Sequence, residues 1–108
     1  MTDFSDRQKG EEGKFAMDAD TAFRVAARRN RLLGHWAAEK MGLTAEETDA
    51  YAKAVVQADF EEAGDEDVIR KVLGDLTAAG VDIDEQRIRE ALGHKQVEAR
   101  RQLIESMD

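Results

Sequence analysis

The residues able to do covalent or metal chemistry are few and poorly placed. Ser5 and Ser106 are the only serines, one at each end of the chain, and His35 and His94 are the only histidines. A Ser-His pair needs nucleophile and base within hydrogen-bond reach, which serines at the termini do not favour, and the chain has no cysteine to replace them. The two histidines fall in different helical stretches without a ligand-spaced partner, so they read as exposed helix-surface residues. The acidic run DFEEAGDED, residues 59–67, invites a calcium reading because Gly64 stands sixth from Asp59. The fifth position is Ala63, however, and the twelfth is Arg70, where a bidentate Glu is needed. The run reads instead as a helix stop at Gly64 followed by Asp65, Glu66 and Asp67 complementing the dipole of the next helix. No glycine-rich phosphate loop exists. The expectation is a protein that is not an enzyme and that uses neither metal nor cofactor.

The basic counterpart is ARRNR, residues 27–31. Helical spacing puts Arg24, Arg28, Arg31 and His35 on one face, which either stays solvated or meets phosphate or an acidic partner. Arg29 falls between two apolar stripes, where an unpaired charge is costly, so it must find a carboxylate, with Glu61, Glu62, Asp65, Glu66 and Asp67 the nearby supply. Asn30 lies on an apolar stripe and reads as a buried, hydrogen-bonded amide. Sixteen Lys plus Arg against 24 Asp plus Glu give a net charge of −8, the opposite of the field a sequence-independent nucleic-acid binder needs.

These residues ride on four helical stretches. Asp18 is placed to N-cap the first, DTAFRVAARRNRLLGHWAAEKM, which Gly42 ends. Thr44 with Glu47 makes a capping box for the second, which carries Tyr51, Ala52, Val55, Val56 and Phe60 and stops near Gly64. Asp65 caps the third, closed by Gly80. The fourth starts at Asp84, with Ile83 and Ile88 as a hydrophobic staple, and keeps Leu92, Ala99, Leu103 and Ile104 at helical spacing. In the first helix, Phe23, Ala26, Asn30, Leu33, Ala37 and Met41 form one stripe. Val25, Leu32 and Trp36 form a second, so this helix needs more than one covering neighbour. Short links between amphipathic helices favour antiparallel packing. The predicted fold is all-α: a small four-helix bundle over residues 18–108, preceded by an N-terminal tail, residues 1–17, expected to be disordered.

That tail is SDRQKGEEGKFA at its centre, with Gly10 and Gly13 among charged groups, poor material for a stable isolated helix. No apolar run reaches signal-peptide or membrane-spanning length. The expected setting is therefore cytoplasmic, without membrane insertion and without nucleic acid.

The stretches ARRNRLLGHWAAEKMGL and YAKAVVQADFEEAGDEDVIRKV, with F-S-D-R and K-F-A-M-D in the tail, closely resemble the zeta-subunit family, small inhibitors of the alphaproteobacterial F-type ATP synthase. The resemblance implies a four-helix bundle with an N-terminal segment that becomes helical as it inserts between the alpha and beta subunits of the enzyme's head. There it reaches toward the gamma subunit and blocks hydrolysis, while the bundle anchors it outside, peripheral to the inner membrane. The matching tail residues are Phe4, Asp6, Arg7, Lys14, Phe15 and Asp18. The chain departs from the family pattern at Gly10 and Gly13, where a helix former is usual, and at Glu11, where an aromatic is. Two alternatives stand beside inhibition: a docking or assembly factor of the same complex that does not inhibit, and a small nucleotide-binding module using Arg24, Arg28 and Arg31.

Overall fold

The computed structural model describes residues 19–60 and 64–106. They form four helices: α1 (Ala19–Met41), α2 (Ala45–Ala58), α3 (Glu66–Ala78) and α4 (Glu85–Ser106). No strand occurs among the described residues. The all-α bundle is thus as expected; residues 1–18, and with them the tail and the Asp18 cap, lie outside the described residues.

The helix ends follow local chemistry. Gly42 and Gly80 take φ of 73° and 83°, the left-handed region that glycine enters without a Cβ penalty. Each closes its helix with the same pair of bonds. Leu43 N–H donates to the Ala38 carbonyl and Gly42 N–H to that of Glu39, both at 3.1 Å; Val81 donates to Leu76 at 2.9 Å and Gly80 to Thr77 at 3.0 Å. At the start of α2, Glu47 N–H donates to the Thr44 hydroxyl and Thr44 N–H to the Glu47 carboxylate, the full capping box. Asp84 accepts from Arg87 N–H at 3.0 Å, and Ile83 packs on the core beside buried Ile88.

Two expected features differ. α2 ends at Ala58, so Phe60 stands beyond it rather than in it. Asp65 holds the N-cap position of α3 but makes no side-chain cap bond; its carboxylate is drawn instead to a buried guanidinium in α1, as shown below.

The core joins Leu33 and Ala37 of α1, Val55 of α2, Val68, Val72 and Leu76 of α3, and Ile88, Ala91 and Leu92 of α4. α1 is the spine, packed along both α2 and α4, which accounts for its two apolar stripes. It approaches α2 so closely at Gly34 that an added Cβ would stand 2.7 Å from Ala52 Cα. Phe23, assigned by its spacing to the core stripe, is instead 53% exposed. The apolar layers stop short of it, and it stacks on Phe60 with centroids 5.6 Å apart and an interplanar angle of 8°. Trp36 is half-buried at the core's edge, with Lys40 Nζ 5.1 Å and the Arg87 guanidinium 5.4 Å from its ring.

Candidate functional site

The face of α1 turned away from the core carries the basic residues that helical spacing aligned. Arg24, Arg28, Arg31 and His35 are all exposed there and line one open groove of about 680 Å³. Its apolar floor comes from three helices: Ala27 and Leu32 of α1, Val56 of α2 and Leu103 of α4. Phe23 stands at its edge. The floor was illegible locally, because its parts are far apart in sequence and meet only when α2 and α4 flank α1.

The three arginines differ in their partners. Arg24 pairs with Asp20 one turn earlier at 3.1 Å, and Arg31 reaches across to Asp49 of α2 at 3.2 Å. Both pairs are exposed, so each is worth about 0–1 kcal/mol and yields readily to a competing anion. Arg28 donates only to the neutral amide oxygen of Gln102, at 3.2 Å. It has no carboxylate among the described residues. His35 lines the groove, whereas His94 is exposed on α4, so the structure brings no second histidine to it.

Beneath this face lies Arg29, buried at 7% exposure. Its Nε and Nη2 donate to Asn30 Oδ1 at 3.1 and 3.0 Å, and Nη1 to Gln96 Oε1 of α4 at 3.4 Å. Its ion pairs are Asp65 at 3.1 Å and Asp59 at 3.8 Å. The expected carboxylate is found, and Asp59 and Gln96 join it. Asn30 is buried as expected, and its oxygen is satisfied, but its Nδ2 has no partner among the described residues. Two carboxylates of the acidic run thus face a guanidinium. No group of three ligand-type side chains that could hold a metal occurs among the described residues.

Between α2 and α3, the Tyr51 hydroxyl donates to Asp75 Oδ2 at 2.8 Å, and Lys71 donates to the same oxygen at 3.0 Å. Burial, then the hydrogen bond to Asp75 and its charge, push the Tyr51 phenol far above its ordinary range. This is a tie between α2 and α3 rather than a reactive phenol.

The six tail positions Phe4, Asp6, Arg7, Lys14, Phe15 and Asp18 lie outside the described residues. Among those described, no helix is long and apolar enough to cross a membrane.

The fold and this face define a small all-α module with one open, cationic helix surface. The chain belongs to the ATPase inhibitor subunit zeta family, whose model matches residues 1–102. That is the inhibitor family of the alphaproteobacterial F-type ATP synthase, so membership carries a regulatory role and an association with that enzyme. A solution NMR structure is similar to this chain with a TM-score of 0.70 and 46% identity, over 78% of this chain and 95% of that one. No curated protein matches the chain.

Proposed function

We propose that this chain inhibits ATP hydrolysis by the F-type synthase through its N-terminal segment. Residues 1–17 fold into a cleft between an alpha and a beta subunit and reach toward gamma, with Phe4, Asp6, Arg7, Lys14, Phe15 and Asp18 in contact. The bundle, residues 18–108, holds that segment from outside on the cytoplasmic side, and the protein does no chemistry of its own. The observation that carries this reading is the extent of the family match: it begins at residue 1 and takes in tail and bundle alike. A segment that folds only on binding spends interaction energy on ordering, which keeps it releasable.

The test is ATP hydrolysis by the isolated head with added full-length chain or with residues 18–108. Inhibition by the full chain alone supports the reading; equal inhibition by both sinks the wedge mechanism. Gly10, Gly13 and Glu11 favour a second reading, a docking factor that binds the head without stopping it, and binding without inhibition by the full chain would select it. The arginine-lined groove similarly motivates a nucleotide titration, read by shifts of α1 resonances.

A further inference from the structure

The cationic groove has a candidate occupant within the same chain. We propose that in the free protein the groove along α1 docks the chain's own N-terminal segment, so that residues 1–12 lie against Arg24, Arg28, Arg31 and His35.

Four observations carry this. First, the groove combines an apolar floor with a cationic rim, the surface that an acidic segment bearing an occasional aromatic fits. Second, the rim has spare capacity, since among the described residues Arg28 meets only a neutral amide, and the partners of Arg24 and Arg31 are exposed and exchangeable. Third, the segment has the matching chemistry. Residues 1–12 hold four carboxylates, Asp3, Asp6, Glu11 and Glu12, against two basic side chains, and Phe4 supplies the apolar anchor. Fourth, the chain enters at the right place. Ala19 opens α1 one turn before Phe23 at the groove's edge, and Gly13 gives a position at which the backbone can reverse.

Length is ample. Twelve residues reach up to ~40 Å when extended, whereas the helix from Phe23 to His35 covers only ~18 Å. A second copy is the weaker occupant, because a symmetric contact would set the same cations against each other. The contact belongs to the free chain and stands whether or not the segment inhibits.

The chain has no cysteine, so Gln8→Cys gives one site for a nitroxide without altering charge. In the ¹⁵N-labelled full-length protein at low salt, the oxidised label should attenuate the amide signals of Arg24 to His35 and of Leu103 and Ser106. Gly74 and Thr77 of α3, none of whose residues lines the groove, should keep theirs. Raising salt to 1 M shortens the Debye length to about 3 Å and should restore the lost signals. Arg28→Glu with Arg31→Glu should restore them too; both positions are exposed, and undisturbed core resonances would verify the fold. Absence of attenuation, or its survival of charge reversal, overturns the proposal. Equal attenuation of labelled chains by spin-labelled unlabelled ones also overturns it, in favour of a second copy. The charge-reversed protein in the hydrolysis assay separates the two proposals: lost attenuation with no inhibition by any form leaves the docking intact and removes the inhibitory reading.

Discussion

The Asp65 carboxylate stands 3.1 Å from the buried Arg29 guanidinium, and it leaves the N-terminus of α3 without a side-chain cap. A cap is worth about 1 kcal/mol, whereas leaving a buried guanidinium unpaired costs more, so the ion pair wins. One residue thereby fastens the α2–α3 connection to α1.

Arg29→Ala should accordingly cost far more than Arg28→Ala. Losing Arg29 strands Asn30, Gln96 and two carboxylates, a loss of ~1–3 kcal/mol. Arg28 is exposed with one neutral partner among the described residues, and losses at such positions stay within ~0.5 kcal/mol. Thermal melts should separate the two by several degrees, at roughly 4–8 °C per kcal/mol for a domain this size. Coincident melting temperatures would contradict the network's role.

Two glycines inside helices should respond to alanine with opposite signs. Gly34→Ala drives a methyl into the Ala52 backbone and should destabilise by ~1–3 kcal/mol. Gly74 has nothing within 4 Å of its would-be Cβ and sits in exposed helix, so Gly74→Ala should stabilise by ~0.5–1 kcal/mol. Denaturant midpoints of the two variants give the signs directly.

Alkaline pH should unfold the bundle through its single tyrosine. Because the folded-state phenol is raised, Tyr51 contributes stability that is fully present below the unfolded value near 10, and lost as pH climbs toward the folded one. Phenolate absorbance should therefore rise together with loss of helical circular dichroism. Tyr51→Phe should blunt that pH dependence. Phenolate forming near pH 10 with helicity intact would show that burial does not protect the hydroxyl.

Under the proposed inhibitory mechanism, Gly10→Ala with Gly13→Ala should strengthen inhibition. Two glycines in a helix interior cost roughly 2 kcal/mol, near a thirtyfold change in affinity, seen mostly as slower dissociation. A variant that binds the head no more tightly would show that helix formation in the tail is not limiting.

What the sequence discloses here depends on how far apart the deciding groups lie. Gly42, Gly80 and the Thr44–Glu47 box are readable because every atom in each motif sits within about one turn. Arg29's need for a carboxylate is readable from its place between apolar stripes, since burial makes pairing obligatory. Asp65 had two competing uses, and only the position of α1 against α3 decides between them. Phe23 obeys the core spacing yet lies beyond the last apolar layer, a limit fixed by where α2 ends and Phe60 turns back. The arginine face emerged from periodicity alone, whereas its floor required Val56 and Leu103 to be carried there by other helices.

Burial along α1 is uneven, and this sets how the molecule bears load. Of residues 19–28 only Val25 is buried, and no described residue of α4 beyond Ala99 is. The core layers begin at Arg29 and Leu33 and continue toward Ala38. Tension applied through the N-terminus therefore meets the weakest-held turns first, and local opening there needs much less free energy than global unfolding. The first two turns of α1 should therefore open before the bundle does, as earlier amide hydrogen exchange there than in residues 33–38 would show.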